Sequence, residues 1–308
     1  MLKINEIVSS LGSIVESNTE IESLVGWDAQ DILKKTGIEK RYIANNDESA
    51  ESLALQAIKK INLSKIKECD LILSVSNTQH NDFPTIAHYV YCELGIDTKI
   101  KCLGFNSGCT GFVDAIELVY SFFNSGFSEK AIIINADTYS KYVHDTDRST
   151  RTIFSDGALV TMVSKDIKGY RITNKSFSCS QSSYEHLIKK EFDGKRMIKM
   201  NGPKVLQFSM LNVAKDILEL IKPDEEYTLF PHQAGKLVLD VLERKLPKNI
   251  KIFKNYPKFG NLVSASIPNL MKENFNEIHN KNKIIISGFG VGLSHNAILL
   301  ESNDVNVN

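Results

Sequence analysis

The stretch Gly104–Phe112, GFNSGCTGF, sets a lone cysteine among glycines and small polar residues directly before an apolar pattern. Ahead of it KIKCLGFN reads as a strand. Behind it TGFVDAIELVYSFFNSG reads as a helix, with apolar spacing of three and four and Gly126 as its stop. About 22 residues past Cys109 comes the strand-like AIIINAD. The second half repeats the pattern: NIKIFKNYPKFGN leads to Asn261, a helix follows, and about 23 residues on comes IIISGFG. Two βαβ-like units of matching length predict a duplicated architecture, with Cys109 and Asn261 at corresponding helix starts.

The remaining segments alternate in the same way. CDLILSVS, GALVTMVS, EYTLFPH and HNAILLES read as strands. FPTIAHYVYCELG, NVAKDILELI, AGKLVLDVLERKL and NLVSASIPNLMKENF read as helices. No low-complexity linker interrupts them, so a layered α/β architecture with both faces of its sheets covered is expected. A chain of 308 residues with 42% hydrophobic content can bury two domains or one large layered unit. Lys plus Arg balances Asp plus Glu at 37 each, so no global charge draws it to nucleic acid or to an anionic membrane. The five cysteines are odd in number and lack metal-ligand spacing. The N-terminus has no secretory apolar core and no apolar run approaches the ~18 residues of a membrane span, so reduced thiols and a cytoplasmic location are expected.

Several positions invite chemistry. A cysteine opening a helix lies near the positive end of the helix dipole and near unpaired N–H groups, which favour the thiolate; the alternative is a small buried hydrophobe. In LFPHQAGK, His232 follows a strand and a proline, a place for an acid–base group or hydrogen-bond donor, or for a satisfied core histidine. In KFGNLVSASIP, Asn261 follows Gly260 and would either donate to an oxyanion or cap the next helix. SGFGVGLSHNAIL holds Gly288, Gly290 and Gly292 near the C-terminus and runs into a strand. That context excludes a dinucleotide loop and leaves close backbone approach to a ligand, or a tight turn.

The motifs KKTGIEKRYIA, HNDFPTIA, NSGCTGFVDAI, DTDRSTRTIFSDGA, KMNGPKVLQF, FPHQAGK, KFGNLVSASIP and GFGVGL follow one another over nearly the whole chain. As an ordered set they resemble the thiolase-like condensing enzymes of the β-ketoacyl-ACP synthase III group. The resemblance implies a pseudo-duplicated five-layer α-β-α-β-α fold, with an N-terminal half (1–165) carrying the cysteine and a C-terminal half (166–308) carrying the histidine and asparagine. It places the group's Cys-His-Asn triad on Cys109, His232 and Asn261, and its oxyanion hole on the backbone N–H groups of Cys109 and Val291, the latter standing at the group's glycine. The implied reaction loads an acyl group on Cys109 from acyl-CoA or acyl-ACP, then condenses it with malonyl-ACP as CO₂ leaves. It needs no metal and no bound cofactor. An acyltransferase of the same fold, passing the acyl group to a hydroxyl or amine of a sugar or secondary metabolite, is the alternative. A non-catalytic binding protein would have no need of all three triad groups.

Lys35, Phe83, Arg148, Leu206 and Gly235 are the substrate-binding positions the resemblance implies. Phe83 would reach across a homodimer to close the partner's acyl pocket. Lys236, Arg244 and Lys245 would meet an acidic acyl carrier protein, with Glu243 interrupting the patch. Two departures stand out. Asp31 and Lys35 occupy the places of the group's nucleotide-holding tryptophan and arginine, so the adenine-stacking face is expected to be missing. Gly235 replaces an asparagine.

Overall fold

The computed structural model describes residues 1–181 and 183–302. The strands are β1 (Leu2–Leu11), β2 (Ile14–Ser17), β3 (Lys40–Ile43), β4 (Leu71–Val75), β5 (Lys101–Phe105), β6 (Lys130–Asp137) and β7 (Gly157–Lys165). They continue with β8 (Tyr170–Cys179), β9 (Leu187–Phe192), β10 (Lys195–Met200), β11 (Tyr227–Pro231), β12 (Ile250–Ile252), β13 (Lys283–Gly290) and β14 (Ser294–Ser302). Ten of them form one sheet in the order β12-β11-β13-β14-β8-β1-β7-β6-β4-β5. That order is mirrored about the β8–β1 seam. On either side come two antiparallel pairings and then two parallel ones. The seam itself is thin, registering only Leu2 opposite Tyr170.

Side-chain alternation sorts the strands into layers. Leu71, Leu73, Val75 and Ile133 from the first half, and Phe230, Ile284, Ile286 and Ile298 from the second, enter one shared core. Between them lie the helices Gly111–Ser125 and Ser266–Glu273, apolar on most sides because both face sheet. The alternate residues Ile72, Ile132, Ile134 and Val160 turn outward against the helices Ala50–Ile58 and Ile86–Glu93. Leu229, Ile285, Ala297 and Leu299 do the same against Lys236–Lys245 and Ala214–Leu218. Helix, sheet, helix, sheet, helix is the five-layer arrangement expected.

The strands and helices read from the sequence are present, with some additions. NVAKDILELI is the end of a longer helical run, from Gly202–Phe208 through a π-helical turn at Ser209–Val213 to Ala214–Leu218. The edge-to-edge strands β1 and β8 were not anticipated, nor was the β9–β10 hairpin. The hairpin had a signal, since Asp193-Gly194 supplies the two positive φ angles (49° and 75°) of a tight turn between alternating strands.

Candidate active site

The reactive candidates all follow the C-terminal ends of parallel strands, where open α/β sheets place their ligands. After β5 a 3-10 turn, Gly108–Thr110, carries Cys109 into its helix. His232 follows β11, Val291 follows β13, and Asn261 lies between β12 and the second central helix. Asn261 is pinned by its backbone to the first half, donating to Ile153 O (2.9 Å) and accepting from Ser155 N (2.9 Å).

Cys109, His232 and Asn261 line one cavity of ≈ 370 Å³ and are themselves 4%, 1% and 5% exposed. Gly290 faces Cys109 so closely that a Cβ there would stand 2.8 Å from its Sγ. The backbone amides of Val291 and of Cys109 itself favour its thiolate, in line with the helix-start reading of the sequence. Burial outweighs them. With Asp137 adding to it, burial pushes the Cys109 thiol up to about 12.

His232 is held by its own N–H to Ser287 O (2.8 Å) and by an edge-to-face contact with Phe289 (5.4 Å). Burial pushes its imidazole down to about 3, with the backbone at Val263 opposing, so the ring is neutral at pH 7. Its Nδ1 has no hydrogen-bond partner among the described residues. Asn261 is oriented unambiguously. Its Oδ1 accepts from Val263 N (2.9 Å) and from Ser266 Oγ (3.4 Å), so Nδ2 is the edge left to donate. Val263 itself is a buried β-branched residue at φ +54°, a strained conformation costing roughly 1–3 kcal/mol.

Of the substrate-binding positions, Lys35, Arg148, Leu206 and Gly235 line the same cavity, as does Lys236. Phe83 does not; its ring is 85% exposed. Trp27, just ahead of the helix Ala29–Thr36, brings an indole to the cavity wall. Lys35 Nζ lies 3.9 Å and the Arg148 guanidinium 5.3 Å from its ring centroid. Arg148 is fixed by donating to Val25 O and to Gly26 O (3.1 Å). Trp27 stands four residues ahead of Asp31, the position of the group's tryptophan.

Arg244 and Lys245 lie exposed at the end of their helix. Glu243 does not break the patch, because Lys254 neutralises it at 2.6 Å. Lys236 is paired with Asp240 (2.5 Å). Asp137, unremarked in the sequence, proves central. It is fully buried at the end of β6 and accepts from Asn77 N (2.8 Å), Thr78 Oγ1 (3.0 Å) and Ser264 Oγ (2.7 Å). Burial raises its carboxyl to about 6. A charged residue closing a largely apolar strand was the signal available. Among the described residues no group of three or more His, Cys, Asp or Glu side chains could hold a metal, and no helix is long and apolar enough to cross a membrane.

Residues 103–180 match the family of 3-oxoacyl-[acyl-carrier-protein (ACP)] synthase III, and residues 220–302 match that family's C-terminal region. The chain is 31% identical over 299 residues to the beta-ketoacyl-[acyl-carrier-protein] synthase III of Aquifex aeolicus (strain VF5), covering 93% of this chain and 94% of that one. Its counterpart from Clostridium perfringens (strain SM101 / Type A) is 31% identical over 307 residues, covering 92% and 94%. The crystal structure of the Aquifex aeolicus VF5 synthase superposes with a TM-score of 0.86 at 30% identity, over 98% of this chain and 100% of that one. A second 3-oxoacyl-(acyl-carrier-protein) synthase III gives 0.87 at 28% identity, over 97% and 99%. Fold and site together define an enzyme of the thiolase superfamily. Within it, the chain belongs to the β-ketoacyl-[acyl-carrier-protein] synthase III family.

Proposed function

We propose that this chain is a cytoplasmic, homodimeric condensing enzyme that loads an acyl group on Cys109 and joins it to malonyl-ACP, releasing CO₂. The observation that carries the reading is the convergence of Cys109, His232 and Asn261 on one cavity, with two backbone amides favouring the Cys109 thiolate. In the first half-reaction Cys109 Sγ attacks the thioester carbonyl of an acyl-CoA or acyl-ACP. The new S–C bond forms, the old one breaks, and the thiol proton leaves with the departing thiol. The N–H groups of Cys109 and Val291 hold the tetrahedral oxyanion.

In the second half-reaction the malonyl C–C bond to the carboxylate breaks and CO₂ departs. His232, neutral because it is buried, and Asn261 Nδ2 donate to the thioester oxygen of the resulting enolate. The carbanion attacks the acyl-enzyme carbonyl and the Cys109 thiolate leaves, completing a β-ketoacyl thioester. Trp27, Arg148 and Lys35 at the cavity wall receive the nucleotide end of coenzyme A. Leu206 and Gly235 border the pantetheine path. Arg244 and Lys245, with Lys236 behind them, meet the acidic carrier protein, and exposed Phe83 serves the dimer contact. The division into 1–165 and 166–308 is supported by the mirrored strand order.

The test is intact mass of the protein after incubation with an acyl-CoA, followed by CO₂ release on adding malonyl-ACP. The expected outcome is one acyl adduct on Cys109, absent in Cys109→Ser, and CO₂ released in step with product. An adduct that transfers to an alcohol or amine without CO₂ would replace condensation by simple acyl transfer.

A further inference from the structure

Across Leu187 from the large cavity lies a second space of ≈ 40 Å³, walled by Asn77, Tyr139, Lys189, Ile198 and Val291. A water needs about 10–15 Å³, so this space takes roughly three non-hydrogen atoms. It lies close to Cys109: Tyr139, Leu187 and Ile198 belong to the same cluster as Cys109, and Val291 packs against that cluster and lines the space.

Beside Leu187, Ile188, Ile198 and Val291, its wall carries polar groups that a hydrocarbon chain would leave unsatisfied. Asn77 Nδ2 donates to the Tyr139 hydroxyl (3.3 Å), and Asn77 Oδ1 accepts from Gly108 N (3.1 Å), beside the nucleophile. Lys189 Nζ donates to Asn77 O, and the ammonium lies 4.5 Å from the Tyr142 ring centroid. Lys189 is half-buried, and among the described residues no carboxylate stands within ion-pair distance of it. The nearby Arg196 is paired with Asp82 (3.2 Å). Burial, with Arg196 adding to it, holds the Lys189 amine below the usual lysine range. The Asp137 and Asp82 carboxylates oppose that shift from beyond ion-pair distance, so an ammonium with three donors has one backbone acceptor and no direct salt bridge.

We propose that the acyl group accepted by Cys109 is short and ends in a carboxylate, which Lys189 receives in this small cavity. The half-thioester of a short dicarboxylic acid has the chemistry required, and the three atoms of its carboxylate match the volume of the space. Loading follows the same balance as before. The S–C bond moves from the donor thiol to Cys109, the proton leaves with that thiol, and the distal carboxylate is unchanged. The proposal rests on the reading of Cys109 as the acyl carrier. A site whose polar groups an isostere would leave unpaired rejects that isostere far more strongly than an apolar pocket does.

The experiment is a competition between succinyl-CoA and butyryl-CoA, equal in carbon number, scored by the mass of the Cys109 adduct. The expected result is a succinyl adduct forming at least tenfold faster in the wild-type protein, a preference lost in Lys189→Met and kept in Lys189→Arg. Faster loading of butyryl by the wild-type protein overturns the proposal and leaves acyl loading on Cys109 standing. So does an unchanged ratio in Lys189→Met. No adduct from either donor overturns both.

Discussion

Two turns start the two central helices, and they share one backbone shape. Gly108 opens the first 3-10 turn and Val263 the second, each at φ +54°. By that correspondence the counterpart of Cys109 is Ser264, and Asn261 lies two residues ahead of its turn, so the match is looser than sequence spacing predicts. The chemistry of the two turns has parted. In the first, glycine accepts the left-handed angle without strain, and the next side chain is a thiol facing a cavity. In the second, valine is forced into that angle, the Asn261 side chain secures its N–H, and the Ser264 hydroxyl braces Asp137 beneath the thiol. One backbone device serves once to present a thiol to the cavity and once to hold an amide side chain in place.

The comparison breaks most sharply at Asn261. Asn261→Ala should lower condensation roughly 10²–10³-fold, the cost of one oxyanion donor, while Cys109 still takes its acyl adduct. Steady-state CO₂ release set against intact mass separates the two. Loss of the adduct as well would show that the second turn supports the nucleophile rather than the enolate.

A smaller effect comes from two buried groups shifted in opposite directions, Asp137 up to about 6 and His232 down to about 3. Between pH 6.5 and about 3 the unfolded chain protonates this histidine and the folded chain does not, so its contribution to stability falls as pH falls. Asp137 acts with the opposite sign: proton uptake by the folded state restores stability as pH drops below about 6. Because Asp137 is common to both proteins, His232→Gln should gain about 2–3 kcal/mol on the wild type between pH 7 and pH 4.5, of order 1.36 kcal/mol per unit. Denaturant titrations at the two pH values measure it. Parallel slopes would place a charged imidazole in the folded site.

The least effect belongs to the brace. Ser264→Ala removes one donor to a buried carboxylate and should cost about 1–2 kcal/mol of unfolding free energy. Turnover should fall less than tenfold, read from the same assays. A drop as deep as that of Asn261→Ala would make Ser264 part of the chemistry.

How legible this was depends on how local each feature is. Cys109, His232 and Asn261 sit where strands of strong apolar character end, so periodicity located them and the order of motifs related them. The five layers followed, because alternate residues such as Ile132 and Ile133 had to find opposite cores. The Ser264–Asp137 bond spans 127 residues, and nothing near either residue announces the other. Trp27 escaped because its indole reaches the cavity wall from a position displaced from the family's tryptophan, something only the folded backbone reveals. Lys189 lies on a hairpin whose turn was readable at Asp193-Gly194, but its alternation of charged and apolar residues reads as an ordinary solvated strand. The Cys109 thiol is the instructive case. The helix start favours the thiolate as sequence suggests, and the depth of burial, which no sequence window contains, overrides it.

Gly108 and Val291 also constrain how the family can diverge here. A Cβ on Gly108 would stand 2.5 Å from Val291 Cγ2, closer than two carbons tolerate. A lineage that keeps the branched side chain at 291 has forfeited every residue but glycine at 108. The reverse change, glycine at 291, would lift the steric veto while the left-handed angle at 108 still disfavoured most replacements. Substitutions at the two positions are therefore order-dependent, with 291 having to change first.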